Sequence, residues 1–215
     1  ISSLNNSKSL FTIESLELRQ PKPKKLEVYA LLSGLPFSKE LIGKLVEIQA
    51  NINEIIDSVL HYWVLPSNFG IEYCVFKWPD DIWNKSWLSP IKEELALLDN
   101  SPFLLTIKGI QINPDGCVIV KGYDENQIIF KIREDLQSKL KFLPKKQSRW
   151  CHIPIGRILE PIGSKKFKKL ANLINKMSDT TIHLERLRSF KFVHETRWYM
   201  EEKSILKEFN FNKKL

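Results

Sequence analysis

Only three cysteines, Cys74, Cys117 and Cys151, occur in the chain, far apart and without a C-x-x-C pair. Neither a disulfide framework nor a thiolate zinc site is indicated, and a reducing, cytoplasmic setting is expected. Long apolar runs are missing too, so no membrane partner is expected, and no cleavable leader opens the sequence. Histidine is scarce at four residues. Asp80-Asp81 has no His or third carboxylate at ligand spacing, so no metal and no cofactor is expected. Acidic residues are outnumbered, 25 against 33 Lys+Arg, which leaves a formal charge of +8. That balance favours a phosphate-bearing partner, an RNA end or a nucleotide.

What is present suffices for a packed core: 43% of the 215 residues are hydrophobic and 11% aromatic. Residues 1–25 carry Ser, Asn, Pro and Lys and read as an extended arm with an edge strand through Leu10–Leu18. LEVYALLSGL (26–35) reads as a strand. Apolar residues then recur at three- and four-residue spacing from Leu41 to Val59, an amphipathic helix with Ser38 as its N-cap. IEYCVFKW (71–78) is a strand entered through a Pro66–Gly70 turn, and a short helix covers about 89–98. Two β-rich runs flank Asn113-Pro114-Asp115-Gly116 as a hairpin. A helix carrying Ile128 to Leu140 leads to the stretch SRWCHIPIGRIL (148–159). A basic helix around Phe167–Met177, a long strand Leu184–Tyr199 and a last strand Ser204–Phe211 complete the order. The expected class is α+β: two similar lobes, each an antiparallel sheet packed by helices, lining a central cleft. The lobes fall at about 26–100 and 101–200, within one domain 26–215 that is monomeric by default.

The stretch around CHIPIGRI, together with LEVYALLSGLPFSKELIGKLVEIQ, SPFLLTIKGIQINPDGCVIVKGY and VHETRWYMEEKSILKEFNF, resembles the 2H phosphoesterase superfamily. That is the fold of bacterial RNA 2′,5′-ligase-like and cyclic phosphodiesterase proteins. The resemblance spans roughly residues 26–211. It implies one His-x-Thr/Ser motif from each lobe, with two histidines acting as an acid/base pair on a cyclic phosphate. His at i and a hydroxyl at i+2 share one face of a strand, so both reach one phosphate. Two imidazoles near pKa 6.5 can divide proton donation and abstraction at neutral pH.

The departures are specific. The second motif reads His152-Ile153-Pro154, which keeps the spacing and loses the hydroxyl. The first motif, expected in IEYCVFKW, has no histidine; Glu72 and Cys74 replace the pair in one register, Ile71 and Tyr73 in the other. Strand alternation favours the first. His61 lies too far upstream to hold the same strand position.

The resemblance thus implies His152 as acid or base, Glu72 as its partner and Arg157 for charge stabilisation. Pro154, Cys74, Tyr73, Arg149, Trp150, Arg197 and Tyr199 complete the expected ligand-binding set. Aromatic residues beside basic ones offer stacking faces for bases, although core filling accounts for them as readily. For an active protein the implied reaction is metal-independent opening of a cyclic phosphate or hydrolysis of a phosphodiester. The lost hydroxyls and histidine equally admit a catalytically inactive module that binds a nucleotide, RNA or a protein.

Overall fold

The computed structural model describes residues 2–98 and 101–211. Two antiparallel sheets carry the fold. The first has the order β3-β1-β8-β9, from β1 (Lys25–Gly34), β3 (Gly70–Lys77), β8 (Ser189–Arg197) and β9 (Glu202–Asn210). The second has the order β2-β6-β5-β4-β7, from β2 (His61–Trp63), β4 (Phe103–Ile112), β5 (Cys117–Tyr123), β6 (His152–Ile158) and β7 (Thr181–Leu187). With its helices this makes an α+β, two-lobed fold.

The helices α1 (Ser2–Lys8), α2 (Ile13–Glu17), α3 (Lys39–Ile56), α4 (Leu88–Leu97), α5 (Ile128–Lys139) and α6 (Ser164–Met177) interleave with the strands. The α3 helix begins where its sequence dictates, with the Ser38 hydroxyl accepting from the Leu41 N–H at 3.2 Å and satisfying an orphan donor of the first turn. Its buried stripe is Leu41, Leu45, Ile48, Ile52 and Ile56. That stripe runs against β6, β7 and α6, and the Gln49 amide, buried beneath it, donates to the carbonyls of Val64 and Ile155. In the same way α5 follows β5 of the second sheet yet lies against β3 of the first. Each helix therefore seats on the sheet of the other half, which fixes the two sheets to one another.

Three expectations are corrected. The segment 1–25 is not an extended arm with an edge strand at Leu10–Leu18. It forms two short helices, and its strand-like contact is one bridge between Phe11 and Pro23. Phe11 is fully buried against Tyr62 and Tyr199, and that anchor overrides the Pro- and Lys-rich composition. The long strand Leu184–Tyr199 is two strands, β7 and β8, which part at Arg188 and enter different sheets. Consequently the lobes are not consecutive halves: β2 joins the second sheet, and β8 and β9 return to the first. The expected division near residue 100 lies outside the described residues, as do residues 212–215.

Candidate functional site

A cavity of about 340 Å³ opens between the two sheets. Two neighbouring strands supply its floor, β3 from the first sheet and β6 from the second. On β6 the residues facing it are His152 and Pro154, at i and i+2. On β3 they are Gly70 and Glu72, again at i and i+2.

The ladders explain why these pairs face inward. Against β1, the partner of Leu32 is Glu72 and that of Leu31 is Cys74, so Tyr73 is skipped. Against β5, the partner of Ile119 is Pro154 and that of Val118 is Gly156, so Ile155 is skipped. Each strand thus carries a β-bulge one residue beyond its inward pair. A bulge places two residues opposite one and interrupts the alternation of faces. Tyr73 and Cys74 accordingly both enter the apolar core. The shared offset makes Gly70 the counterpart of His152 and Glu72 the counterpart of Pro154.

The expected register on β3 is therefore corrected. Glu72 faces the cavity, but the residue paired with it is Gly70, not Cys74. Cys74 and Tyr73 are fully buried and line no cavity. Burial pushes the Cys74 thiol above its ordinary value, with Glu72 adding to the shift, and the Tyr73 hydroxyl is hydrogen-bonded to Ser33 at 2.9 Å. The Pro154 ring costs less than an interior strand proline would, because a bulge is one of the places where its missing N–H is tolerated.

The bulge on β3 frees backbone carbonyls, and Arg133 of α5 claims them. Its Nε donates to the Tyr73 carbonyl at 2.6 Å, Nη2 to the Glu72 carbonyl at 3.3 Å and Nη1 to the Ser148 carbonyl at 2.6 Å. The same guanidinium thereby ties β3 to the loop that delivers His152. Beside it the Gln147 amide donates to the Val75 carbonyl and accepts from the Val75 N–H, closing the otherwise open edge of β3. No sequence motif marks Arg133. Its signal is position, four residues after Ile129 and three before Leu136, on the buried stripe of α5.

Of the expected residues, Glu72, His152, Pro154, Arg157, Trp150 and Tyr199 line one cavity. Arg157 is already engaged: Nε donates to the Tyr199 hydroxyl at 2.5 Å, and Nη1 to Ser7 Oγ at 2.6 Å and Asp115 Oδ2 at 2.8 Å. Burial works against its charge, yet Tyr199, Cys117 and Asp115 hold its pKa above the ordinary guanidinium value. Arg149 lies outside, with Trp150, on a second and more open hollow bounded by Lys121, Asp124 and Phe130. Arg197 is corrected as well. It is buried away from the cavity, where Nη1 donates to the Pro23 carbonyl at 2.7 Å and Nε to Glu202 at 2.9 Å. His61 pairs β2 with β6 at Ile158 and does not line the cavity.

The sequence reading missed Glu195, Asn68 and Met200 as cavity residues and gave Trp78 and Trp198 no particular place there. Tyr199 and Met200 both adopt left-handed backbone, φ 60° and 57°. Such conformations are uncommon and costly for bulky residues and persist where the surroundings impose them. Here they turn the Met200 N–H onto Glu195 Oε1 at 2.9 Å. Burial pushes the Glu72 carboxyl up to about 7, with Arg133 opposing. Burial also pushes Glu195 up to about 7, with the Met200 N–H opposing and the Glu72 charge reinforcing it. Burial lowers the pKa of His152. The Glu72 Oε1, His152 Nδ1 and Asn68 Nδ2 atoms are buried without a hydrogen-bond partner.

No protein-family model and no curated protein matches the sequence. Solved structures do. TT0787 of Thermus thermophilus superposes with a TM-score of 0.64 at 14% identity, covering 88% of this chain and all of that one. Escherichia coli LigT complexed with phosphate gives 0.60 at 9% identity, again over 88% of this chain and all of LigT. ATU0111 of Agrobacterium tumefaciens, a conserved protein of unknown function, gives 0.62 at 11% identity, over 92% and 89% of the two chains. This chain has a 2H phosphoesterase-like fold. At such identities the likeness reaches the backbone only, so the side chains of the 2H phosphoesterase-like cavity must be read from this molecule. Among the described residues no cluster of His, Cys, Asp and Glu is arranged to hold a metal ion, and no helix is long and apolar enough to cross a membrane.

Proposed function

We propose that the chain is a catalytically inactive nucleotide-binding module built on the 2H phosphoesterase-like fold. The observation that carries this reading is the matched pair of bulged strands. Two-histidine chemistry needs an imidazole at each inward i position, and the cavity has His152 on β6 against Gly70 on β3. The i+2 positions hold Glu72 and Pro154, so neither hydroxyl is present. Arg157, the cation nearest in role to a phosphate clamp, already donates to Asp115, Ser7 and Tyr199. What remains is a partly apolar, tryptophan-lined cavity of a size to take a nucleoside. LigT structures complexed with ATP and with 3′-AMP support a nucleotide-sized occupant for this fold. The three cysteines are buried free thiols, in keeping with a reducing cytoplasmic setting.

A second reading has one observation in its favour. Glu72 and His152 face the same cavity, and a carboxyl near pKa 7 exchanges protons at neutral pH. Turnover separates the two. The expected result is quenching of tryptophan fluorescence by 3′-AMP or ATP, with no opening of 2′,3′-cyclic nucleotides or cyclic-phosphate-ended RNA. Turnover that disappears in His152→Ala would overturn the inactive reading in favour of a cyclic phosphodiesterase.

A further inference from the structure

The cavity holds two unpartnered polar atoms of opposite hydrogen-bonding sense. Asn68 is only 6% exposed and lines the cavity. Its amide orientation is fixed by chemistry: Lys203 Nζ donates to Oδ1 at 2.7 Å and Ser67 Oγ at 3.2 Å. An ammonium has no acceptor, so the oxygen must face it and the Nδ2 donors must face away. That Nδ2 has no partner. Four residues on, Glu72 lines the same cavity with Oε1 buried and unpartnered. A donor and a carboxylate acceptor left open in a largely apolar cavity are costly unless a ligand completes them.

Their complement is an edge that presents an acceptor beside donors. Guanine offers O6 next to N1–H and N2–H on its Watson–Crick edge; adenine offers a donor next to an acceptor and lacks the second donor. A bare phosphate offers only acceptors and would meet the Glu72 and Glu195 carboxylates as like charges. Stacking faces for a planar ring are at hand in Trp78, Trp150 and Trp198. Trp78 is held in place by donation of its Nε1 to the Lys146 carbonyl at 2.9 Å.

Resting on the nucleotide-binding reading, we infer that the cavity selects a guanine base, with Asn68 Nδ2 donating to O6 and the Glu72 carboxylate accepting from N1–H and N2–H. Sites built to pair with a polar edge discriminate strongly, because the wrong edge leaves buried groups unpaired.

The test is a tryptophan-fluorescence titration of the full chain with guanosine, adenosine, GMP, AMP and inorganic phosphate at pH 6 and pH 8. Guanosine should bind at least about 10-fold more tightly than adenosine. Glu72→Gln replaces one acceptor oxygen with a donor at nearly constant shape, and Asn68→Asp removes the donor. Each should abolish the preference while leaving adenosine affinity, an internal report of a folded cavity, within about two-fold. Guanosine binding should tighten from pH 6 to pH 8 as Glu72 ionises. Arg133 on α5, His152 on β6, and Glu195 and Lys203 around β8 and β9 face the same region, so the decisive comparison is loss of this tightening in Glu72→Gln.

Equal binding of guanosine and adenosine, or a preference that survives Glu72→Gln, overturns the guanine assignment and leaves the nucleotide-binding module standing. Affinity that rises with falling pH and is matched by inorganic phosphate also overturns it, in favour of an anion site. No binding of any nucleoside or nucleotide overturns both readings.

Discussion

The strands β3 and β6 share a backbone device and differ in every side chain it presents. Both turn i and i+2 toward one cavity, and both skip the next residue against their neighbour. On β6 the pair is an imidazole and a proline; on β3 it is a hydrogen atom and a carboxylate. Backbone geometry has been kept where the chemistry attached to it has not. The lesson is that a bulge is an attribute of the ladder, independent of the groups it displays, and a fold can match while the reactive atoms are absent.

Arg133 is the largest single lever on the comparison, because it holds the β3 bulge and has no equivalent on β6 among the hydrogen bonds of the described residues. Arg133→Met should strand the carbonyls of Glu72, Tyr73 and Ser148 and cost roughly 3–4 kcal/mol, read as a lower urea midpoint at unchanged slope. A loss below about 1 kcal/mol would mean that the bulge stands without it.

Restoring the chemistry tests the correspondence directly. A Cβ at Gly70 would meet its nearest neighbours at 3.4 Å, ordinary contact, so a side chain fits there. Gly70→His combined with Glu72→Thr and Pro154→Thr should raise opening of 2′,3′-cyclic nucleotides about 100-fold over the parent, the low end of what positioned acid–base groups contribute. If Cys74→His gives more activity than Gly70→His, the assigned correspondence is wrong.

The two strands should also titrate in opposite senses. Glu72 and Glu195 have folded pKa values near 7, above the unfolded value of 4.5, so the folded state binds extra protons between these limits. Stability should therefore rise as pH falls from 8 to 6.5, by about 1.5 kcal/mol if both carboxyls contribute independently. Below 6.5 the unfolded chain protonates His152 more readily than the folded one, because burial lowers its pKa, and the gain is offset. Thermal unfolding at pH 8.0, 6.5 and 5.5 checks the sign; Glu195→Gln should halve the slope between 8 and 6.5, and an unchanged slope would rule its carboxyl out as the source.

The smallest effect is expected at Pro154→Ala. Beside a bulge a proline forgoes little, so stability should move by less than about 1 kcal/mol. A gain of 2 kcal/mol or more would show that the ring strains β6.

Much of the architecture is written in local pattern. The α3 periodicity, its Ser38 cap, the hairpin around Pro114-Asp115 and the strand at His152 each depend on neighbours within a few residues. The errors arise where distant residues decide. The Tyr73 bulge depends on pairing with Leu31 and Leu32, some forty residues earlier, and shifts the site pair on β3 by one position. The break at Arg188 has no Gly or Pro to announce it; two sheets pull the flanking strands apart. Arg197 looks like a cavity cation until Pro23 and Glu202 are brought to it, and Glu195, two residues earlier, meets Glu72 only through tertiary structure.

The placement of β8 beside β1 bears on how the chain is made. Strand β1 is among the first segments synthesised, yet one of its two partners begins at Ser189. At ordinary elongation rates that interval lasts on the order of ten seconds. Throughout it the apolar run Lys25–Gly34 has an unpaired edge, the kind of template on which nascent chains associate. A ribosome stalled before Ser189 would therefore release a polypeptide whose exposed β1 edge makes it a substrate for chaperones or for aggregation.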